Sequence, residues 1–137
     1  MSSIAEAESE IIEEFELFDD WMDKYNYIIE LGKSLPLIDP QYKDDAHLIP
    51  GCQSQVWLHA EMSDGKLFFR ADSDAIITKG IINLLIRVLS GHTPQEILAS
   101  DLGYIDQIGI KEHLSPTRSN GLLSMIQQIR GYAKGNL

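Results

Sequence analysis

Residues 56–71 read Val-Trp-Leu-His-Ala-Glu-Met-Ser-Asp-Gly-Lys-Leu-Phe-Phe-Arg-Ala and give the clearest structural signal in the chain. Apolar residues occupy every second position from 56 to 62, which is typical of a strand with one buried face. The pair Asp64-Gly65 follows and favours the tight turn of a two-residue hairpin. Residues 67–71 again suit a strand. The sequence therefore predicts an antiparallel hairpin.

Helical patterns precede this hairpin. Apolar residues recur at helical spacing from 4 to 18, with glutamates on the opposite face, which predicts a first helix. Asp19 and Asp20 suit the start of a second helix, which is predicted over residues 21–33. Gly32 marks its end.

Three further helices are predicted after the hairpin. The Asp-Ser-Asp segment at 72–74 is interpreted as the cap of a mostly aliphatic helix over 76–89, which we expect to pack on the sheet. Thr93 and Glu96 form a capping-box pattern with a proline at the first helical position, and this predicts a short helix. Ser115 and the proline after it predict the start of the last helix.

The elements run in the order helices, strands, helices, which predicts an α+β fold rather than alternating βα units. An extended segment around residues 47–50 is expected to add a strand. The prediction is thus a small antiparallel sheet of about three strands packed against helices. No repeat, low-complexity stretch or long linker divides the sequence, so we expect one domain over residues 1–137.

Composition narrows the classes of function. The chain has 137 residues, of which 44% are hydrophobic, and a net charge of -10. This acidity disfavours nucleic acid as a partner, because phosphate binding needs a basic surface. It fits either simple solubility or docking onto a basic protein. No apolar run is long enough to cross a membrane, and the acidic N-terminus shows no targeting pattern, so a cytoplasmic location is expected.

The only cysteine, Cys52, follows a proline–glycine turn signal and is expected on a loop before the first strand. A single cysteine excludes an internal disulfide. The commonest state of a free cysteine is that of a small buried hydrophobe. Three features favour a reactive thiol instead: the position is on a loop and outside any periodic core pattern, Gly51 allows another group to approach closely, and polar neighbours can hydrogen-bond a thiolate or a partner. These neighbours are Gln53, Ser54 and Gln55.

Other chemistries find less support in the sequence. The histidines are His47, His59, His92 and His113; no pair has the spacing of metal ligands, and neither a metal site nor a cofactor is predicted. A cysteine hydrolase would need a histidine base beside the thiol, and His47 is the candidate. No local signature of a cysteine protease surrounds Cys52. The sequence also contains no glycine-rich loop of the kind that binds phosphate.

Arg118 is unusual because it falls in the first turn of the last predicted helix. A cation there opposes the helix dipole at a cost of up to about 1 kcal/mol. One interpretation is a solvated arginine that tolerates this small cost, either alone or paired with an acid. The other is a donor fork for a carboxylate or for a partner's backbone. The sequence leaves both open.

The segment 51–57, Gly-Cys-Gln-Ser-Gln-Val-Trp, resembles the cysteine motif of the SufE family, which includes CsdE. Further matches extend over nearly the whole chain in the same order. They are Trp21, Lys24-Tyr25, residues 27–32, Leu35-Pro36, residues 72–75, Lys79-Gly80, Thr93-Pro94, His113-Leu114, Pro116, Arg118-Ser119, Gly121-Leu122 and Met125-Ile126. The resemblance implies the SufE/NifU-like fold.

The resemblance also implies a function. SufE-like proteins accept sulfur from a pyridoxal-phosphate cysteine desulfurase and stimulate that enzyme. By this resemblance Cys52 takes the sulfur as a persulfide and passes it to an iron–sulfur assembly scaffold. The implied partners are a SufS- or CsdA-like desulfurase and that scaffold. The chain is expected to be a carrier, monomeric when free, rather than an enzyme. A lone cysteine suits a carrier, because a second thiol would attack the persulfide and release sulfide.

A persulfide needs shielding, so we expect two states of the Cys52 loop, with the thiol tucked in at rest and extended when docked. Asp72, Asp74 and Arg118 are candidates for tuning the loop or docking the partner. Helix capping and a surface ion pair are the simpler roles for the two aspartates. Two rival hypotheses stay open: an adaptor that stimulates the desulfurase by binding alone, and a thiol-dependent enzyme such as a peroxidase or hydrolase.

Overall fold

Helices enclose a short hairpin in the computed structural model, which describes residues 3–52 and 54–137. These ranges contain two strands, seven α-helices and two single-turn 3₁₀ helices. The strands are β1 (Val56–Ser63) and β2 (Lys66–Ser73). The helices are α1 (Ile4–Glu16), α2 (Trp21–Lys33), α3 (Ile76–Leu89), α4 (Pro94–Ala99), α5 (Gly103–Ile108), α6 (Ile110–His113) and α7 (Pro116–Gly135), and the 3₁₀ helices are Pro40–Tyr42 and Asp45–His47. The α+β prediction is confirmed.

The predicted hairpin is present. β1 and β2 pair antiparallel, with Val56 opposite Ser73 at the open end. Asp64 and Gly65 both have positive φ angles, 53° and 78°. This left-handed backbone is what the two central residues of a type I′ turn require, and the Asp-Gly pair adopts it at low cost.

The prediction of a third strand is wrong. Leu48 forms a single antiparallel bridge with Trp57, and Ile49 donates its N–H to the Val56 carbonyl at 2.8 Å. The pairing cannot extend, because a 3₁₀ helix ends just before Leu48 and a turn begins just after Ile49. The sheet is therefore two-stranded within the described residues.

Local capping sequences set several helix starts. The Asp20 side chain accepts the Asp23 N–H at 2.9 Å, and α2 occupies its predicted range. Thr93 and Glu96 form the predicted capping box of α4, and the Ser115 side chain caps α7 as predicted. α1 ends two residues earlier than predicted, because 3₁₀-type hydrogen bonds tighten its last turn.

The predicted cap of α3 is wrong. The N-cap residue is Ala75, which offers no side-chain cap bond. Its own N–H donates to Ser73 Oγ at 3.2 Å. The carboxylates of Asp72 and Asp74 instead contact residues distant in sequence, because tertiary partners compete with the helix for them.

α3 lies at the centre of the core, and its narrow polar stripe faces the two N-terminal helices. Asn83 is 2% exposed and donates to the Leu31 carbonyl of α2 at 2.7 Å. Arg87 forms two hydrogen bonds of 2.9 and 2.8 Å to the Glu14 carboxylate of α1. The polar stripe thus fixes the packing of α1 and α2, while the aliphatic remainder of α3 packs against β2 and α7.

One hydrophobic cluster draws side chains from both strands and from α1 to α7. One domain over residues 1–137 stays a prediction, which a single cooperative unfolding transition would test. Among the helices of the described residues, none combines the length and the hydropathy that a membrane span needs.

Candidate functional site

The Cys52 thiol lies between the loop before β1 and the last helix. Its Sγ donates a hydrogen bond to the Gly121 carbonyl of α7, with an S···O distance of 3.7 Å. The side chain is partly buried, and this burial raises the pKa of the Cys52 thiol above its ordinary value. In this conformation the thiol is therefore mostly protonated at neutral pH, and the thiolate is the nucleophilic form.

A glycine allows the loop to lie against α7. Gly51 has a φ of +84°, in the left-handed region that favours glycine, and a Cβ there would lie 2.7 Å from Ser124 Oγ. A Cβ on Gly121 would lie 3.6 Å from the Cys52 Sγ. That distance is an ordinary van der Waals contact, so the close approach of the loop to α7 requires a glycine at position 51, as the sequence predicted.

A cavity of about 270 Å³ opens beside the thiol, between the loop, α3 and α7. Its wall combines hydroxyl and guanidinium groups, which can hydrogen-bond an anion, with aliphatic side chains that exclude water. The lining residues are Cys52, Ser54, Thr78, Ile81, Thr117, Arg118, Gly121 and Met125. The space beside the thiol is large enough for an added sulfur atom.

Arg118 contributes a positive charge to this cavity. Its backbone N–H donates to Ser115 Oγ at 3.3 Å, and its Nη1 donates to the Tyr25 hydroxyl at 2.7 Å. Across residues 3–52 and 54–137 its guanidinium forms no ion pair with a carboxylate. The interpretation of Arg118 as the partner of an acid is therefore not supported, and its charge can act on an anion formed in the cavity.

Asp72 forms ion pairs rather than a helix cap. Its carboxylate accepts a hydrogen bond from Lys43 Nζ at 3.0 Å and lies 3.4 Å from Lys79 Nζ. Burial alone would raise the pKa of Asp72, but the two lysines and the Ser73 N–H outweigh it and hold that pKa below its usual range. The Lys43 ammonium also lies 4.7 Å from the centroid of the Trp57 ring. Asp72 thereby ties the segment before the loop to β2 and α3.

Asp74 anchors the end of the Cys52 loop that leads into β1. Its Oδ1 accepts the Gln55 N–H at 3.1 Å, and the Gln55 carbonyl accepts the Ser73 hydroxyl at 2.7 Å. These bonds fix the backbone three residues after the cysteine. The Gln55 side chain is exposed, Ser54 lines the cavity, and Gln53 lies outside the described residues.

His47 does not hydrogen-bond the thiol. Its Nδ1 lies 2.7 Å from the Asp44 carboxylate, and its Nε2 lies 3.2 Å from His59 Nδ1. Within the described residues the only hydrogen bond of the Cys52 Sγ is the one to Gly121, so the geometry does not support a cysteine–histidine hydrolase pair. In the same part of the chain, no three or more His, Cys, Asp or Glu side chains converge as a metal site would require.

Six residues that build the site were not predicted to belong to it, namely Tyr25, Thr78, Ile81, Thr117, Gly121 and Met125. The first two lie on helix faces whose periodicity indicated core packing. Gly121 offered a signal, because glycine in a helix interior costs about 1 kcal/mol relative to alanine and its presence suggests a close approach.

Two exposed apolar side chains lie close in sequence to residues that line the cavity. Ile76, the first residue of α3, is 64% exposed, and Leu123 of α7 is 46% exposed. Each is two residues from a residue of the cavity wall, Thr78 and Gly121 respectively. Neither side chain lines the cavity, and single exposed apolar residues of this kind are ordinary on a protein surface.

A family model described as SufE, an Fe-S metabolism associated domain, matches residues 9–133. The chain belongs to the SufE family. Membership associates it with iron–sulfur metabolism and confirms the resemblance drawn from the cysteine motif. The residues matched include Cys52 and the whole cavity wall.

SufE-like relatives match the chain over almost its full length. It is 41% identical over 133 residues to an uncharacterized SufE-like protein of Rhizobium meliloti, covering 93% of this chain and 95% of the relative. It is 42% identical over 130 residues to one of Rhizobium etli, covering 91% and 88%. The solution structure of a hypothetical protein from Thermus thermophilus matches with a TM-score of 0.78 at 20% identity over 95% of each chain. That protein shares the fold described above.

Proposed function

We propose that this SufE-family protein accepts sulfur from a cysteine desulfurase as a persulfide on Cys52 and relays it to an iron–sulfur assembly scaffold. The observation that carries the proposal is the position of the only thiol of the chain, beside a cavity whose wall holds the Arg118 cation. The association of the family with iron–sulfur metabolism supports it.

The proposed transfer is a thiol exchange. The Cys52 thiolate attacks the outer sulfur of the donor's persulfide, and a new S–S bond forms while the S–S bond of the donor breaks. The donor leaves as a thiolate and takes up the proton that Cys52 released. The step therefore needs no oxidant or reductant. Because the chain has no second cysteine, no internal thiol can attack the product and release sulfide.

The resting geometry supports a protected thiol. The hydrogen bond to Gly121 and the raised pKa keep Cys52 protonated, which suppresses reaction with oxidants and free disulfides. Movement of the loop away from α7 would break that single hydrogen bond and expose the thiol. The bonds between Asp74 and Gln55 confine such a movement to the residues before 55.

Arg118 is proposed to stabilise the sulfur anion that forms during transfer. A cation near a thiolate or a persulfide favours the charged form. Because its Nη1 is already bonded to Tyr25, the guanidinium is held in place before the anion appears, and its other N–H groups can donate hydrogen bonds to the sulfur.

The rim of the cavity is proposed as part of the docking surface for the desulfurase. The net charge of -10 favours a basic surface on the partner and faster association. A SufS- or CsdA-like desulfurase, a downstream scaffold and a cytoplasmic location complete the proposal.

Desulfurase turnover separates this proposal from its rivals. Alanine formation from cysteine by a SufS-like enzyme is measured with wild-type protein and with Cys52→Ser. The wild type is expected to raise the rate, while Cys52→Ser binds the enzyme with similar affinity but does not raise it. Equal stimulation by both proteins would show an adaptor that acts by binding alone. Catalytic consumption of peroxide by the wild type without desulfurase would show a thiol-dependent enzyme instead.

A further inference from the structure

One buried hydroxyl in the wall of the Cys52 cavity has no protein partner. Thr78 of α3 lines this cavity and is only 6% exposed. Threonines in helices often donate to the carbonyl one turn earlier, but within residues 3–52 and 54–137 the Thr78 hydroxyl makes no hydrogen bond. The same part of the chain holds no unpaired side-chain oxygen that is sealed from solvent, so this hydroxyl is open to the cavity. It is therefore available to a group that enters there.

The first turns of two helices line this cavity. Thr78 is the third residue of α3, and Thr117 and Arg118 are the second and third residues of α7. The N-terminal end of a helix carries partial positive charge, so both turns favour an anion. The N-cap of α3, Ala75, offers no side-chain hydrogen bond and does not compensate this charge. Two helix ends thus favour negative charge beside Cys52.

The side chains of the cavity wall carry positive charge and no negative charge. Among the described residues that line the cavity, Arg118 has the only formal charge, and no carboxylate takes part. Ile81 and Met125 supply an apolar surface beside it. Where apolar side chains exclude water, a hydrogen bond to an anion is stronger than in bulk solvent. The wall therefore suits a small anion that forms beside the cysteine.

We propose that the Thr78 hydroxyl donates a hydrogen bond to the outer sulfur of the Cys52 persulfide and holds that sulfur as an anion between the first turns of α3 and α7. This inference rests on the proposed persulfide and names the group that retains it. The unloaded thiol donates to the Gly121 carbonyl at an S···O distance of 3.7 Å. A persulfide that has released its proton to solvent offers that carbonyl nothing and needs a donor instead.

The hydrogen bond gives the loaded protein a contact that the unloaded protein lacks. It ties the loop that carries Cys52 to α3, whereas the contact with Gly121 ties the unloaded thiol to α7. Loss of the outer sulfur to an acceptor removes the anion, and the thiol can then return to Gly121. Thr78 would thus retain sulfur on the carrier without blocking its return to the resting conformation.

Chemical loading tests this hydrogen bond without a desulfurase. An aromatic disulfide, dithiobis-nitrobenzoate, converts Cys52 to a mixed disulfide and releases one nitrothiobenzoate. Hydrosulfide then attacks the Cys52 sulfur, expels the second nitrothiobenzoate as a thiolate and leaves the persulfide. Mass spectrometry measures the loaded fraction. Because no desulfurase takes part, failure of this test leaves the proposed transfer standing, and failure of transfer from a desulfurase leaves this test standing.

The ionisation of the loaded persulfide, followed by its near-ultraviolet absorbance, is the first measurement. Thr78→Val replaces the hydroxyl with a methyl group and is expected to move this ionisation upward by about one pH unit, the loss of one hydrogen bond to a charged group. Thr78→Ser keeps the donor and should titrate like the wild type. At a pH where every persulfide is ionised, iodoacetamide should alkylate the Thr78→Val persulfide about tenfold faster, because its anion has lost the donor.

Alkylation of the unloaded thiol is the structural control. Among the described residues the Cys52 Sγ bonds Gly121 and not Thr78, so the wild type and both variants should be alkylated at the same rate before loading. Three results would each overturn the proposal. They are equal persulfide titrations for Thr78→Val and the wild type, a Thr78→Ser protein that titrates like Thr78→Val, and an unloaded Thr78→Val thiol that reacts faster by the same factor as its persulfide.

Discussion

Arg118 Nη1 donates a 2.7 Å hydrogen bond to the Tyr25 hydroxyl, and this contact joins the first turn of α7 to α2. This hydrogen bond explains why a cation occupies the first turn of α7, where the helix dipole disfavours positive charge. The local cost of up to about 1 kcal/mol is offset by a hydrogen bond to a charged group, which contributes about 1.5–3 kcal/mol. The bond also holds the guanidinium in the wall of the cavity that contains Cys52.

Loss of the Arg118 charge is expected to slow sulfur acceptance. Arg118→Ala should lower the rate of transfer to Cys52 by about tenfold or more, the loss expected for one charged hydrogen bond to a developing anion. Single-turnover transfer from a persulfide-loaded desulfurase measures it. Arg130→Lys is the control, since Arg130 bonds the Ser100 carbonyl and does not line the cavity. Equal rates for Arg118→Ala and the wild type would remove Arg118 from the mechanism.

Burial of Cys52 predicts slow alkylation at neutral pH. Only the thiolate reacts, and burial raises the pKa of this thiol above its ordinary value. Iodoacetamide should therefore modify the folded protein more slowly than the same chain in denaturant at about pH 7–9, where an ordinary thiol ionises. A folded-state rate equal to that of the denatured chain would show that the thiol is not buried in solution.

The same shift has a consequence for stability. The folded state holds the Cys52 proton more tightly than the unfolded chain does. The resulting stabilisation is fully present below the pKa of the thiol in the unfolded chain. It is lost as the pH rises through the pKa of the thiol in the folded state. Cys52→Ser should lack this alkaline decline in the free energy of unfolding. An identical decline in both proteins would assign it to another group.

The crossing of α2 and α3 depends on Gly80. A Cβ at this position would lie 1.9 Å from the Ile28 carbonyl oxygen, so Gly80→Ala must separate the two helices. We expect it to lower the free energy of unfolding by about 3 kcal/mol or more. Gly131→Ala on α7 is the matched control, because a Cβ there meets nothing within 4 Å, and it should stabilise by about 0.4–1 kcal/mol. Urea unfolding compares them, and a Gly80→Ala variant as stable as the wild type would contradict the packing.

The ion pairs of Asp72 predict a dependence of stability on acid pH. The pKa of Asp72 is lowered in the folded state. Its contribution to the free energy of unfolding is therefore fully present above the pKa of an unfolded aspartate, about 3.9, and is lost as the pH falls through the pKa of the folded state. Asp72→Asn should lower the free energy of unfolding at neutral pH by about 1 kcal/mol and flatten its acid dependence. The control is Asp64→Asn in the hairpin turn, a position that tolerates asparagine. Parallel acid profiles for Asp72→Asn and the wild type would argue against the ion pairs.

Elements set by neighbouring residues could be predicted from the sequence. The Asp-Gly turn of the hairpin, the Asp20 cap and the capping box from Thr93 to Glu96 each depend on residues within four positions of one another. The position of Cys52 on a loop before β1 followed from the same kind of local signal. Residues close together in sequence determine these turns and caps, and the local preference agrees with the tertiary structure at each of them.

Features that depend on distant residues could not be predicted. Asp74 resembled a helix cap in the sequence, but Gln55, 19 residues away, takes its carboxylate. His47 and His59 are 12 residues apart and meet only because the second 3₁₀ helix folds back on β1. The predicted third strand is absent because the 3₁₀ helix before Leu48 and the turn after Ile49 leave room for a single bridge.

The mass of the Cys52 peptide after contact with a persulfide-loaded desulfurase tests sulfur transfer most directly. The enzyme is loaded with cysteine, freed of excess substrate, mixed with the protein without reductant, and the products are alkylated and digested. One additional sulfur atom is expected on the peptide that contains Cys52, with a matching loss from the enzyme. An unmodified Cys52 peptide, with the sulfur still on the enzyme, would contradict it.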